Sequence, residues 1–236
     1  MPATSSSSVS KQSQSDDKFA LNAPQISLPK GGGAISGIGE KFAANPVTGT
    51  GSLSVPIATS PGRAGFGPQL SLSYDTGAGN GPFGVGWSLS LPAITRRTDK
   101  GLPQYRDAQE TDFFILSGAE DLVPVYQKNP DGSWKFTPQG KLIADEVMRN
   151  GYKVKAYQSR MEGLFARIER WTRLSDNDTH WRSITKDNIL TVYGSTTESR
   201  IADPATPNHV FSWLICQSYD DKGNAMVYNY VAENAD

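Results

Sequence analysis

A glycine-rich stretch is the first place in this sequence where residue types and spacing could do chemistry. Gly79–Gly84 matches G-x-G-x-x-G and follows an alternating run of residues. In dinucleotide-binding proteins this motif opens a helix whose N-terminus receives the pyrophosphate. Here Trp87–Leu91 alternates like a strand instead. We therefore predict a bend between two strands that holds no nucleotide, where glycine permits positive φ and Phe83 and Trp87 fill the remaining space.

Candidate nucleophiles and metal ligands are few and widely separated. Cys216 is the only cysteine, which excludes an internal disulfide, and its apolar surroundings predict a buried strand residue rather than a catalytic thiol. His180 and His209 stand alone, so we interpret each as a strand-edge or turn histidine. We predict no catalytic residue, no cofactor-binding residue and no metal ligand in this chain.

Two short polar segments are better explained as turns than as sites. Gly118–Asp121 could offer carboxylates to Ca²⁺, but it lacks a spaced set of oxygen ligands and predicts a hairpin between Phe113–Leu116 and Leu122–Gln127. Ser195–Glu198 has the residue types of an NAD-binding strand, yet it follows Tyr193–Gly194 and predicts a polar turn.

A charge-rich strand is predicted around residues 159–173. Alternation places Arg167 and Glu169 on one face with Phe165 and Trp171, and Arg170 on the other. One interpretation is a wall lining or a subunit contact. The other is a set of cross-strand ion pairs on a solvated face, which we favour. The charged residues of this segment are Arg160, Glu162, Arg167, Glu169 and Arg170.

The elements that must position these residues are strands. Apolar residues alternate with serines through residues 52–57, 70–74 and 87–91, and a period of two places them on one sheet face. Turn sequences such as Asn150–Gly151 separate further strand candidates. The one helix candidate, Lys141–Arg149, has poor apolar spacing. We therefore predict an all-β fold: a curved, many-stranded antiparallel sheet. The further strand candidates are Tyr152–Gln158, Leu164–Thr172, Trp181–Thr185, Ile189–Tyr193, Val210–Ser218 and Met226–Ala232.

Charge is unevenly distributed along the chain. The 236 residues have a formal net charge of −1, and no basic stripe favours nucleic acid or an anionic membrane as a partner. Between residues 42 and 95 only Arg63 and Asp75 are charged. We infer that this segment is enclosed, either in the core or against another protein.

The ends of the chain differ from its middle. Residues 1–24 are rich in Ser, Gln and Asp and predict a disordered tail, and residues 25–236 predict one β domain. No Sec signal is evident at the start, and the apolar run Val210–Cys216 is too short to cross a bilayer. The last predicted strand lies almost at the end, so we expect that the domain continues in a longer polypeptide.

Seven blocks, in this order, carry a resemblance to a known family. Together they resemble the N-terminal domain of SpvB-type virulence proteins, which also begins the B subunit (TcB, or TcdB-like) of the toxin-complex (Tc) insecticidal toxins. The resemblance covers about residues 26–234. The blocks are SLPKGGGAISGIGEKF, LSLSYDTGAGNGPFGVGW, FILSGAEDLVPV, YQSRMEGLFARIERW, DNILTVYG, RIADP and FSWLICQSYDDKGNAMVYNY.

The resemblance implies a structural role. In Tc toxins the B and C subunits form a hollow shell of the Rhs/YD type around an effector, and a propeller further along B docks on the A subunit. It implies as partners the C subunit with its effector, and the A subunit through a propeller downstream of this segment. In the SpvB branch a separate C-terminal domain is an actin-directed ADP-ribosyltransferase. That chemistry uses a Glu-x-Glu pair, and no two glutamates in this chain have that spacing.

We therefore predict a non-enzymatic structural domain of a secreted bacterial toxin, made in the bacterial cytoplasm and exported without a Sec signal. It would form part of a β-shell that encloses or scaffolds an effector. Two alternatives stay open: a binding module for a host surface or delivery partner, and a fragment of an actin-directed ADP-ribosyltransferase toxin whose catalytic domain lies outside these residues.

Overall fold

A computed structural model describes residues 41–44, 51–81, 83–89, 91–99, 101–117, 120–160 and 166–231. The predicted tail and the first part of the predicted domain lie outside these residues. The described strands are β1 (Lys41–Ala44), β2 (Gly51–Ile57), β3 (Leu70–Asp75), β4 (Asn80–Gly81), β5 (Gly84–Val85), β6 (Trp87–Leu89), β7 (Ala93–Arg96), β8 (Phe114–Leu116), β9 (Glu120–Pro124), β10 (Glu146–Arg149), β11 (Tyr152–Ser159), β12 (Arg167–Arg173), β13 (Thr179–Ile184), β14 (Leu190–Tyr193), β15 (Arg200–Asp203), β16 (Thr206–Tyr219) and β17 (Ala225–Val227).

Eight of these strands form a closed antiparallel ring. Their order is β11-β12-β13-β14-β16-β7-β8-β9, and β9 returns to pair with β11 through Pro124 opposite Tyr157. Closure gives each ring strand a hydrogen-bonded neighbour on both sides, which removes the open edges that a flat sheet would expose. Strand β10 adds to β11, and β15 and β17 add to β16. The predicted curved antiparallel sheet is confirmed.

The ring is filled by side chains that alternate inward along its strands. Ile94, Ile168 and Trp213 are completely buried, and aromatic rings pack edge to face around them. Gly194 permits a close approach here, because a Cβ at this residue would lie 2.3 Å from Cδ1 of Trp213. The interior is therefore a packed core. Its aromatic members are Phe114, Tyr157, Trp181, Tyr193 and Trp213.

A second, four-stranded antiparallel sheet has the order β1-β2-β3-β6. Its register places Leu53 opposite Tyr74 and Leu72 opposite Leu89, so one face is apolar. The other face is largely serine, with Ser73 opposite Ser88. Within residues 51–89, as far as they are described, Gly86 is the only buried residue. The enclosure expected from the low charge is therefore not supplied by the described core.

The glycine-rich stretch connects two strands of this second sheet. Strand β3 pairs directly with β6, and β4 and β5 form a small hairpin between them. Strand, not helix, follows Gly84, which confirms the predicted turn. Gly86 has φ +80°, and a Cβ there would lie 2.5 Å from the Tyr74 ring. The predicted filling by Phe83 is wrong, because that residue is 51% exposed, whereas Trp87 packs on Tyr74 with ring centroids 5.1 Å apart.

The helix candidate at Lys141–Arg149 is also wrong. Glu146–Arg149 forms β10 against β11, and Leu142 pairs with Phe136 in an isolated bridge. Cross-strand hydrogen bonds override the weak helical propensity of this segment. The described helical elements are two three-residue 3₁₀ turns, Arg63–Gly65 and Asp107–Gln109. Neither is long or apolar enough to cross a membrane.

Candidate functional site

A buried charge cluster occupies one end of the ring interior. Arg96, at the end of β7, is 1% exposed and donates from Nε to the carbonyl oxygen of Val210 at 2.7 Å. Its Nη1 donates to Asp107 and Asp112, at 2.7 Å each, and its Nη2 donates to the other oxygen of Asp107 at 2.9 Å. All three guanidinium nitrogens of Arg96 therefore have a hydrogen-bond acceptor.

The loop between β7 and β8 brings these two carboxylates to Arg96. Asp112 accepts the backbone N–H groups of Gln104 and Tyr105, at 2.8 and 2.9 Å, which fixes the loop over the end of the ring. Burial by itself would raise the pKa of Asp107, but the hydrogen bond from Arg96 and the charge of Arg170 hold that pKa below its usual value. Asp107 thus stays ionised at neutral pH.

Two further cations face the same interior. Lys155 on β11 lies directly opposite Arg170 on β12, and both are buried. Lys155 forms an ion pair with Glu110, and Glu146 lies 3.9 Å away. Burial, followed by the charge of Arg170, lowers the pKa of Lys155 to about 8. Mutual repulsion of two buried cations is therefore part of the electrostatics of this end of the ring.

The predicted faces of β12 are confirmed for its described residues. The predicted solvated ion pairs are found only in part, because Arg160 pairs with Asp121 at the surface whereas Glu169 and Arg170 are buried. Glu169 shares a face with Arg167 and Trp171: it pairs with the first and accepts the indole N–H of the second at 2.9 Å. Glu169 is only 4% exposed, and Arg170 faces the core with Ile168. The ring encloses one side of the strand and long side chains cover the other. Phe165 and Glu162 lie outside the described residues.

The outer face of β12 and β13 is an aromatic and cationic layer. The guanidinium of Arg182 lies 3.8 Å from the centroid of Trp171, and the same ring stacks on His180. Arg182 also donates from Nε to Nε2 of His180 at 3.2 Å. Burial, followed by the charge of Arg182, lowers the pKa of His180 to about 4. His180 is thus a buried neutral histidine inside a strand, which corrects the predicted strand-edge or turn position.

The remaining sequence candidates are dispersed. Cys216 is buried in β16 as predicted, with Sγ 3.2 Å from the Val192 carbonyl oxygen. His209, also in β16, stacks on Tyr105 at 4.7 Å. No group of three metal-ligating side chains occurs among the residues that the structure describes. These candidates do not converge on one site.

Ser195–Glu198 lies in a turn as predicted, whereas Gly118 and Ala119 lie outside the described residues and Glu120 and Asp121 begin β9. The hairpin of β8 and β9 places Leu116 opposite Glu120. Asp121 within it pairs with Arg97 and Arg160. Thr196 and Ser199 hydrogen-bond to each other across the turn after Gly194. Asp121, Thr196 and Ser199 are therefore engaged in local structure.

The charge cluster itself was missed from the sequence. Arg96 lies two residues after the buried Ile94 in the same strand, so both side chains point inward. This period-two alternation was the signal that the sequence offered. Its partners Asp107 and Asp112 lie in a segment without periodicity. Only the folded loop shows that they meet.

Two comparisons with known proteins identify the same family. Residues 45–236 match the family model described as Salmonella virulence plasmid 65kDa B protein, SpvB. "Mono(ADP-ribosyl)transferase SpvB" of Salmonella typhimurium is 37% identical over 222 residues, which are 92% of this chain and 34% of that protein. The chain thus spans about a third of the length of the curated relatives it matches.

Two solved structures extend the comparison. The N-terminal domain of effector protein SpvB from Salmonella typhimurium strain LT2 is 36% identical, with a TM-score of 0.62 over 77% of this chain and 54% of that one. The TcdB2-TccC3 crystal structure is 33% identical, with a TM-score of 0.69 over 91% of this chain and 10% of that one. The matched region is therefore about a tenth of the TcdB2-TccC3 chain and about half of the SpvB N-terminal domain chain.

Proposed function

The chain belongs to the SpvB family, and on this premise we propose that residues 25–236 are a non-enzymatic structural domain of a secreted bacterial toxin. The domain forms one segment of a β-shell that encloses or scaffolds an effector. Its mechanism is enclosure: a wall of hydrogen-bonded strands keeps the effector from solvent and from premature contact until delivery. The rest of the shell and the effector lie in other segments or subunits.

The second sheet is the observation that carries this proposal. One of its faces is apolar, through residues such as Leu53, Val55 and Leu72, yet none of these is buried in the described structure. An apolar sheet face that stays partly exposed is costly in water and is typical of a surface that packs on another protein. The near absence of charge fits such packing, because burying an unpaired charge costs far more than burying serine.

The buried charges of the ring support a structural role. Arg96 is bound by two carboxylates and a backbone carbonyl, an arrangement that holds the β7–β8 loop against the ring. The transferase activity in the names of the curated relatives belongs to proteins about three times as long as the matched segment. We propose that this chain does not itself transfer ADP-ribose. Its proposed partners are a Tc-type C subunit with its effector and, through another domain, an A subunit.

A chimera tests the proposal. This chain replaces the matched tenth of the TcdB2-TccC3 protein, and particle formation is measured by size-exclusion chromatography and by resistance of the enclosed part to protease. We expect particles of the parental size with the parental protease resistance. A chimera that folds but exposes its enclosed part to protease would contradict the proposal, and NAD consumption by this chain alone would contradict its non-enzymatic part.

A second candidate function is a binding module for a host surface or delivery partner. The observation that favours it is the tip of the small hairpin, where Phe83 is 51% and Val85 is 69% exposed. Exposed apolar residues on a glycine-rich turn can insert into a partner's pocket. Replacing both with serine would abolish binding to host cells on this hypothesis, and would leave particle formation unchanged.

A further inference from the structure

Three buried nitrogen donors lie side by side across three neighbouring strands of the ring. Lys155 on β11 pairs with Arg170 on β12, and Arg170 pairs with Trp181 on β13. All three side chains face the interior, and Arg170 is only 5% exposed. A row of adjacent donors without interleaved acceptors is unusual, because buried N–H groups are nearly always hydrogen-bonded.

Arg170 is the member of this row whose charge is poorly satisfied. Within the part of the chain that the structure describes, its Nε has no hydrogen-bond acceptor, and neither have Nε1 of Trp181 and Nζ of Lys155, although Lys155 has Glu110 as an ion-pair partner. Asp107 lies 3.9 Å from Nη1 of Arg170, beyond hydrogen-bond distance. Each oxygen of Asp107 already accepts one hydrogen bond from Arg96. Nε of Arg170 is thus a buried donor without an acceptor among the described residues.

A cavity of about 100 Å³ lies against this guanidinium. A water molecule takes about 30 Å³ of liquid volume, so the space accommodates about three waters or one ligand of three or four heavy atoms. The size excludes nucleotides and sugars. The residues that line the cavity include Arg170, Asp107, Tyr126, Tyr157, Phe114 and Leu122.

The charges around the cavity favour a planar monoanion. Arg96 has Asp107 and Asp112 as hydrogen-bonded counterions, and Lys155 has Glu110 as its ion-pair partner, whereas the carboxylate paired with Arg170, Asp107, lies 3.9 Å from Nη1. A carboxylate matches the fork of donors on a guanidinium. The lining also contains the carboxylates Asp107, Glu110 and Asp112, which would repel a dianion such as phosphate about twice as strongly as a monoanion.

We propose that Arg170 binds a small monocarboxylate, of the size of formate or acetate, in this cavity inside the ring. The ligand's two oxygens accept hydrogen bonds from the guanidinium, and its apolar end faces Phe114 and Leu122. The chemistry is that of a carboxylate, which could be free or carried on a peptide side chain. The cavity volume favours the free acid.

Acetate is the probe that tests this site. The 236-residue chain is titrated with sodium acetate at constant ionic strength, set with chloride, while the arginine Nε–Hε and tryptophan Nε1–H signals are followed by ¹H–¹⁵N NMR. The Arg170 signal, identified by its loss in Arg170→Lys, should move saturably with acetate. The Arg96 signal should stay still, because that Nε already donates to Val210 at 2.7 Å.

Substitutions and a second probe complete the experiment. Arg170→Met should abolish every saturable shift near the cavity, whereas Arg149→Met, an exposed arginine on β10, should leave the titration unchanged. An acetylated Gly-Asp-Gly amide replaces acetate in a parallel series, and a stronger response to the peptide would overturn the assignment to a free acid. An Arg170 signal unmoved by acetate in the folded wild-type chain would overturn the proposal, as would a bound water that acetate does not displace.

Discussion

At the residue scale, Arg96 is the side chain whose loss we expect to destabilise the fold most. Arg96→Met would leave Asp107 and Asp112 without their main cation inside the ring. Breaking a buried ion pair by removing one partner costs about 3–5 kcal/mol. The free energy of unfolding, measured by urea titration, should fall by about that amount.

The neighbouring Arg97 provides a matched control. It pairs with Asp99 and Asp121 at the surface, where the side chains keep contact with water. Arg97→Met should therefore cost at most about 1 kcal/mol. Equal losses for the two substitutions would contradict the assignment of Arg96 to a buried cluster.

His180 should make stability depend on pH below neutrality. Its pKa is lowered to about 4 in the folded chain, against 6.5 for an ordinary histidine. Between these values the unfolded state binds a proton that the native state does not bind, so stability falls as the pH falls from about 6.5 to 4. The loss over that window is up to about 3 kcal/mol.

Unfolding free energies measured between pH 7 and 4.5 check this prediction. His180→Gln keeps an acceptor for Arg182 but cannot titrate, so it should flatten the pH dependence. His209→Gln should leave the pH dependence of stability unchanged, because the side chain of His209 is 41% accessible to solvent. A wild-type curve that stays flat over this range would show that the fold does not lower the pKa of His180.

At the scale of elements, Gly86 fixes the β3–β6 hairpin. Its φ is +80°, and an added Cβ would lie 2.5 Å from the Tyr74 ring and 2.9 Å from the Asp75 carbonyl oxygen. Gly86→Ala should open the hairpin locally, and we expect amide hydrogen exchange at Asp75, which donates to Gly86, to accelerate at least about tenfold.

Gly84→Ala is the control for this substitution. Gly84 also has positive φ, at +95°, but nothing lies within 4 Å of an added Cβ. Gly84→Ala introduces only the strain of placing alanine at a positive φ, without a steric clash. Amide hydrogen exchange at Asp75 should therefore change less than it does in Gly86→Ala. The reverse order would mean that the close approach to Tyr74 is not the reason for glycine at residue 86.

Most of the strands could be predicted from sequence, because period-two alternation is a local signal. Residues 152–158 and 210–218 were expected as strands and lie in β11 and β16. The helix candidate at 141–149 failed because a short segment with little periodicity takes the conformation that its neighbour β11 offers. Phe83 was expected to be covered, but a two-residue strand pair provides too little structure to bury a ring.

At the scale of the whole molecule, ring closure could not be predicted from the sequence. It depends on Pro124 meeting Tyr157, and no local pattern encodes a contact between residues so far apart. The same closure creates the interior in which Arg96 and Arg170 are buried. The charge cluster therefore could not be predicted without knowing which strands pair. The alternation along each strand did indicate that both arginines point inward.

The second sheet links the fold to the proposed assembly. The low charge of residues 42–95 left two possibilities, the core of this chain or contact with another protein. The described structure leaves the apolar face of the sheet outside the buried core, so we propose that another part of a toxin shell covers it.

The most direct measurement of this claim compares the two faces of one strand pair in the TcdB2-TccC3 chimera. The double substitution Leu72→Lys and Leu89→Lys changes one cross-strand pair on the apolar face. The double substitution Ser73→Lys and Ser88→Lys changes the neighbouring cross-strand pair, which lies on the other face. Size-exclusion chromatography then measures particle formation for both. We predict that the leucine pair abolishes particles and the serine pair retains them. Particles that form normally with both lysines on the apolar face would contradict the account.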